Sequence, residues 1–293
     1  MTGLLFALHG PHLIVMMQNQ NIDAPTVSDF GKEWSRFDQS GMSEQDIAAR
    51  FEEYFGIFPW EQLPENCVGF DLGCGSGRWA KLVAPKVGRL YCVDPSFDAL
   101  EVARRTLADH ANCVFACESA NSLSLSDMSQ DFGYSIGVLH HTPDPLSAMR
   151  NAVKKLRPGA PFLVYLYYAF DNRPVWYAYV WRLSDWARRI VSRGPDIVKF
   201  TICSFLAAFV YFPLTRIASL LERAGVDVSN FPLSYYRRYG YYNMRTDALD
   251  RFGTRLEHRF TRVQIECMMR ESGLKNIRFS DEAPFWVAVG TRQ

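Results

Sequence analysis

Two periods of apolar residues alternate along the middle of this chain. Short runs rich in Val, Ile, Phe, Tyr and Cys recur between Cys67 and Tyr168, and stretches with apolar positions three and four apart lie between them. The strand-like runs are Val68–Asp71, Arg89–Asp94, Cys113–Cys117, Gly133–Leu139 and Pro161–Tyr167. Helical spacing covers Arg78 to about Pro85, continues from a Ser96 cap through Asp109, and reappears from Asp144-Pro145 to a stop at Arg157-Pro158-Gly159. In the last of these, Asp144 reads as the N-cap before Pro145 at the first helical position. Strands separated by helices imply right-handed crossovers and a parallel sheet covered on both faces.

The flanks read differently. Between Asn21 and Asn66 polarity rises, with Phe30, Trp34 and Phe37 in an otherwise polar stretch. Ser43 reads as an N-cap with Asp46 three residues on. Ile47, Phe51, Tyr54 and Phe55 follow at helical spacing, and Gly56 is a natural stop, so 23–66 is expected to be a helical arm. Residues 1–22 are apolar but lack a basic start and are interrupted by His9-Gly10-Pro11-His12. They read as a disordered leader rather than a signal peptide, with Met16 and Met17 as alternative starts. The α/β pattern resumes at Thr261 with a helix over Arg262–Ser272, a strand over Asn276–Ser280 and a last strand over Phe285–Gly290. The four residues between those strands make a hairpin, so the pair should be antiparallel.

The sheet-forming core therefore spans 67–168 and is completed by 259–293, with about ninety residues, 169–258, inserted between. The insert is crowded with aromatics, among them Trp176, Tyr177, Tyr179, Trp181, Trp186, Tyr235, Tyr236, Tyr239, Tyr241 and Tyr242. It is rooted where open α/β sheets bind their substrates, beyond the carboxyl ends of the strands, and is expected to cap a substrate. Within it Phe200–Leu214 is the most apolar stretch of the chain. Fifteen residues are too few to span a bilayer, which needs about 20. Two readings remain, a buried cap helix or an interfacial helix that touches a membrane; runs of this length are more often core, which favours the buried one.

At 293 residues the chain can bury a sizeable core. Its net charge of +1 makes no general case for a nucleic-acid partner, although the insert alone carries thirteen Lys/Arg against eight Asp/Glu. The seven cysteines form no CxxC pair and no zinc spacing. Several lie inside apolar strand-like runs and read as small buried hydrophobes in a reducing, cytoplasmic compartment, with no structural metal expected.

Candidate chemistry concentrates in Val68-Gly69-Phe70-Asp71-Leu72-Gly73-Cys74-Gly75-Ser76-Gly77-Arg78. Alternating glycines let the backbone turn sharply and let a ligand approach amides that open a helix. A dinucleotide loop wants G-x-G-x-x-G, and Arg78 stands where its third glycine belongs. Asp94 ends the second strand and can accept two hydrogen bonds from vicinal ribose hydroxyls, or serve as a turn acid beside the Ser96 cap.

This stretch resembles the first motif of the class I S-adenosylmethionine-dependent methyltransferases. Gly137-Val138-Leu139-His140-His141 resembles that family's fourth-strand motif. The resemblance implies a three-layer Rossmann-like α/β sheet, mostly parallel, with an antiparallel C-terminal hairpin. It implies S-adenosylmethionine as cofactor, held by Asp71, Gly73, Cys74, Gly75, Gly77, Asp94 and Pro95, with Gly137 and Val138 at its methionine end. Glu118-Ser119-Ala120 aligns with the adenine-edge motif, although most members carry an acid where Ser119 stands; either the Ser119 hydroxyl accepts from the exocyclic amine while the Ala120 amide donates to the ring, or Glu118 substitutes. His140 and His141, with Tyr167, would stand at the reacting edge. A histidine there can take a proton from a hydroxyl, or His141 can simply tie its loop together. Tyr165, Tyr168, Asp171, Asn172, Arg173, Arg245 and Asp247 are candidate substrate contacts, or packing between cap and sheet. The implied reaction is methyl transfer to a small or lipophilic acceptor, on oxygen before nitrogen or carbon. The rival readings are an RNA- or protein-modifying methyltransferase using the basic insert, a non-catalytic cofactor-binding scaffold, and a nicotinamide-dependent oxidoreductase.

Overall fold

A computed structural model describes residues 21–37 and 41–293. The leader expected over 1–22 lies outside the described residues except for Asn21 and Ile22, and Asn21 is buried, with its side-chain amide bonded to the backbone of Asp144.

Seven strands form one sheet in the order β3-β2-β1-β4-β5-β7-β6. They are β1 (Val68–Leu72), β2 (Arg89–Val93), β3 (Cys113–Ala116), β4 (Phe132–Ile136), β5 (Pro161–Tyr165), β6 (Leu274–Phe279) and β7 (Val287–Arg292). The first five pair in parallel, while β7 pairs antiparallel with both β5 and β6. The fold is therefore the Rossmann-like sheet with an antiparallel C-terminal hairpin. Register at the centre follows from shape: Gly69 is opposite Phe132 and Phe70 opposite Gly133. A Cβ on either glycine would lie within 2.4 Å of the facing phenyl ring, so each ring occupies the space the missing side chain leaves.

Alternate residues along the strands enter two cores, as a period of two requires. One face carries Leu90, Cys92, Phe132, Tyr134 and Leu163, and is covered by α2 (Glu44–Phe55) and α4 (Phe97–Thr106). The other carries Phe70, Leu72, Phe162 and Val164, and is covered by α5 (Pro145–Lys155) and α10 (Arg262–Glu271). The caps read from sequence, Ser43, Ser96 and Asp144, each accept a backbone N–H from the first turn that follows. Thr261, with no such sequence assignment, also caps its helix and completes a capping box with Gln264.

Element ends move, for local reasons. β4 stops at Ile136 instead of Leu139, because Gly137 takes a φ of +77° and Leu139–His141 coils into a 3-10 turn. β5 stops at Tyr165, and the helix after the glycine loop is one turn, α3 (Ala80–Val83), continued as a 3-10 turn over Ala84–Lys86. The arm contains a helix with no separate sequence assignment, α1 (Ala24–Arg36), capped by Asp23.

The insert forms α6 (Val175–Val191), α7 (Asp196–Leu206), a π-helical turn (Ala207–Tyr211), α8 (Phe212–Arg223) and α9 (Tyr241–Gly253). The buried-helix reading of Phe200–Leu214 requires correction. The helix continues without a break from Asp196 to Arg223; Pro213, which has no N–H for the preceding turn, lies just after the π-helical turn Ala207–Tyr211. Only one stripe of it is buried; Phe205 and Phe209 are exposed.

Phe55, at the end of α2, is 1% exposed and meets the rings of Phe51, Phe58, Trp60, Trp79 and Tyr134. It fastens the arm to the sheet. Phe55→Ala is expected to lower unfolding free energy by about 3–5 kcal/mol in urea denaturation; a loss below about 1 kcal/mol would mean the arm is not part of the core.

Candidate functional site

A cavity of about 300 Å³ opens at the carboxyl ends of β1, β2, β4 and β5. Its floor is the glycine loop, one wall is α1, and the roof is the insert with Arg259 just beyond it: Tyr54, Trp34 and Phe30 face Tyr177, Tyr235, Tyr236, Asp247, Asp250, Arg251 and Arg259 across it.

The loop is fixed from below. The amides of Gly73 and Cys74 both donate to the Val93 carbonyl, at 2.7 and 3.0 Å. Gly75 donates to Asp94 Oδ2 at 3.0 Å and Ser96 donates to Asp94 Oδ1 at 2.8 Å. One carboxylate thus joins the first and second strand tips. A carboxylate has about four acceptor positions, so each oxygen of Asp94 keeps one for a ligand. Burial pushes this carboxyl up to about 6, against the two amides that hold it down. Gly75 has a φ of +53°, and a Cβ there would meet the Trp34 indole nitrogen at 3.0 Å. Trp34 therefore lies directly over the loop.

Cys74, Pro95, Ala120, Gly137, Val138, Tyr167 and His141 also line the cavity, as do Gly73, Gly75 and Asp94. Four residues assigned to the site from sequence do not. Asp71 is buried beneath the loop, where loss of water pushes its carboxyl up to about 8. Gly77 packs against Ala103 and Leu107. Ser119 turns its hydroxyl to Ser122 at 2.9 Å, and the substitute, Glu118, accepts from the Ser124 amide. His140 is fully buried, stacks on Tyr167 with centroids 3.9 Å apart, and is held neutral by burial. These four shape the site from outside it. Among the substrate candidates, Tyr165, Tyr168, Arg173 and Asp247 line the cavity. Asp171 instead accepts from the Trp286 indole and the Arg262 amide, and Arg245 covers the Phe37 ring.

His141 is oriented. Its Nδ1 lies 2.7 Å from the Leu256 carbonyl, which only accepts, so Nδ1 carries the proton and Nε2 presents its lone pair. Burial pulls the imidazole down to about 4, so it is neutral at pH 7. Nε2 has no hydrogen-bond partner and lies 3.9 Å from Asp250 Oδ1. Asp250 accepts a hydrogen bond from the Tyr167 hydroxyl through its other oxygen. Burial pushes its carboxyl up to about 7, and Asp247 and Glu257 add to the rise. Sequence reading missed Asp250, because nothing within α9 distinguishes it from Asp247 three residues earlier. Asp247 is taken up by Arg50 at 3.1 Å. Arg78 lies between the rings of Trp34 and Trp79, at 5.7 and 4.5 Å, with no carboxylate partner among the described residues. It leaves a positive charge on the cavity wall beside the glycine loop.

Residues 70–164 match a family model described as a methyltransferase domain. The chain is 28% identical over 119 residues to the ubiquinone biosynthesis O-methyltransferase of Parvibaculum lavamentivorans, covering 39% of this chain and 46% of that protein. It is 33% identical over 126 residues to the arsenite methyltransferase of Aquipseudomonas alcaligenes, covering 39% and 36%. The chain thus spans less than half the length of either of these curated relatives. A chain from the complex between the Haloferax volcanii Trm112 methyltransferase activator and a methyltransferase superposes with a TM-score of 0.50 at 15% identity, over 91% of this chain and 96% of that one. That likeness shows the fold.

The raised carboxyls make stability fall with pH. Asp71 and Asp250 hold protons in the folded chain, at about 8 and about 7, that an unfolded chain releases near 4. The folded state then binds more protons than the unfolded one, and the stability this gives is lost as pH rises through the folded values. Thermal unfolding of the free protein should occur at a lower temperature at about pH 9 than at about pH 6.5, and Asp71→Asn should narrow the gap. An unchanged gap in the variant would show that Asp71 is ionised at neutral pH.

Proposed function

We propose that this chain, whose residues 70–164 match a methyltransferase domain, is a class I S-adenosylmethionine-dependent methyltransferase that methylates a hydroxyl of a small or lipophilic acceptor. The carrying observation is that one cavity holds Asp94 with spare acceptor positions at its floor and Asp250, at about pH 7, in its roof.

S-adenosylmethionine is the cofactor of this domain, and it supplies a methyl group on an electrophilic sulfonium. The residues present fit it. Asp94 suits its ribose hydroxyls, and Ala120 lies where the adenine edge is expected. Gly73, Gly75, Gly137 and Val138 would hold the methionine end, and Arg78 would offer its carboxylate an unneutralised charge.

On the acceptor side, Asp250 takes the hydroxyl proton. Its value near 7 puts a useful fraction in the basic form at neutral pH while keeping it a competent proton acceptor. Tyr167 holds the carboxylate in place by donating to it, and His141 offers a neutral lone pair beside it. Arg50 neutralises Asp247, so the second acid does not compete for the proton. The aromatic walls, from Phe30 and Tyr54 to Tyr177 and Phe285, exclude water from the transfer and favour an apolar body on the acceptor. The O-methyltransferase among the relatives supports this choice of nucleophile. His140 has no part in proton transfer, because its ring is sealed behind Tyr167.

The reading is tested by incubating the full chain with methyl-labelled S-adenosylmethionine and a panel of hydroxylated aromatic and long-chain compounds, with Gly75→Val as the inactive control. Label should appear in an O-methyl product. Asp250→Asn should lower kcat by about 10²–10⁴-fold with S-adenosylmethionine affinity unchanged. The acid limb of the wild-type kcat/KM profile, rising through about pH 7, should vanish in the variant. Label on nitrogen or carbon, or an Asp250→Asn enzyme of near wild-type rate, would sink the hydroxyl assignment.

A further inference from the structure

Helices α6 and α7 both pack on α9, so their opposite sides face out of the cap. On α6 the outward residues are Trp176, Tyr179, Leu183, Trp186 and Ile190, spaced three, four, three and four; all are exposed, Leu183 to 71%. That periodicity belongs to a helix face with an apolar partner. The rod from Asp196 to Arg223 repeats the pattern. Lys199, Cys203, Ala207, Tyr211, Thr215 and Ala218 form its buried stripe, while Ile197, Phe205, Phe209, Phe212, Ile217 and Leu220 are exposed. Soluble monomers seldom leave an apolar surface of this extent to water.

The charges beside this face are unbalanced. Over residues 175–223 there are seven Lys/Arg and three Asp/Glu. Each of those acids is already bound: Asp185 to Arg188 and Arg189, Asp196 to Lys32 and Lys199, Glu222 to Arg237 and Arg238. Arg182, Arg193, Arg216 and Arg223 have no carboxylate partner among the described residues. The guanidinium groups of Arg182 and Arg216 lie over the Tyr179 and Phe212 rings, at 5.6 and 4.8 Å, so their charge is held against the aromatic residues of this face with no carboxylate to neutralise it.

We propose that this face docks on an anionic lipid bilayer, with α6 and the Asp196–Arg223 rod lying in the headgroup boundary. Tryptophan and aliphatic residues flanked by unpaired arginines suit that boundary. The rod is long and apolar enough to span a membrane, but its buried stripe is committed to the protein, with Lys199 bonded to Asp29 at 2.7 Å and Cys203 and Tyr211 packed on α9. Crossing a bilayer would strip those contacts from one whole side. A second copy of the chain fits less well, since a two-fold contact would bring the same unpaired arginines together. The surface also backs onto the site: Tyr177, on the inner side of α6, lines the cavity. Docking there would set the cavity close to the source of a membrane-dissolved acceptor. The proposal stands on the surface alone and does not require the methyl-acceptor reading to be correct.

The test is co-sedimentation of the full chain with vesicles of phosphatidylcholine, alone or mixed with phosphatidylglycerol. Binding to the mixed vesicles is expected, weaker on phosphatidylcholine alone and weakened by salt. Leu183→Glu combined with Phe209→Glu, both exposed positions, should reduce partition by roughly tenfold or more at an unchanged circular dichroism spectrum. Quenching of the wild-type tryptophan fluorescence by brominated lipid provides the same reading without a variant. Absence of sedimentation and quenching with either vesicle overturns the proposal, as does a double variant that binds like wild type. A dimer that the double variant dissociates would also overturn it, in favour of a second copy.

Discussion

The carboxylate of Asp94 accepts from the amides of Gly75 and Ser96, and the rest of the site depends on its being held there. It ties the loop after β1 to the helix start after β2. The bonds from Gly73 and Cys74 to the Val93 carbonyl close the same junction from below. A buried acid is costly unless it is hydrogen-bonded; two amides at about 3 Å meet that requirement and leave outward-facing acceptor positions. The positive φ values of Gly73, Gly75 and Gly77 let the backbone turn inside so small a space. Asp71 and Tyr134, buried below, fill the base on which this junction rests.

A cavity with chemistry forms only when the insert and the arm close on that platform. Trp34 from α1 lies over Gly75, and α9 brings Asp250 to Tyr167 and His141. The roof is therefore built by residues distant in the chain, and its proton acceptor is useful because it is crowded. Burial and two neighbouring acids raise Asp250 into the neutral range, and Tyr167 keeps it accepting. The same α9 supports, on its far side, the two helices whose outer faces carry exposed apolar residues. Site and surface thus share one structural element.

What could be read from residues alone follows from the range of the interactions. The sheet was legible because strand burial imposes a period of two and caps are local, as at Ser43, Ser96 and Asp144. The hairpin was legible because a short connection permits only antiparallel return. Motif membership proved a weaker guide to contact. Asp71, Gly77, Ser119 and His140 belong to the right segments yet do not line the cavity: Asp71 and His140 are buried behind it, Gly77 packs on α4 and Ser119 bonds within its own turn. Asp250 carried no local mark at all, since its role comes from a fold contact across 83 residues. The apolar run at Phe200–Leu214 misled because composition gives total hydrophobicity but not which side of a helix finds a partner. Only the packing on α9 decides that Cys203 and Tyr211 are inside and Phe205 and Phe209 outside.

The most direct measurement is calorimetric titration of S-adenosylhomocysteine into the full chain and into an Asp94→Ala variant of unchanged fold. One site per chain should be seen in the wild type and no measurable heat in the variant. A silent wild type, or a variant that binds with the same affinity, would contradict the role given to the Asp94 junction.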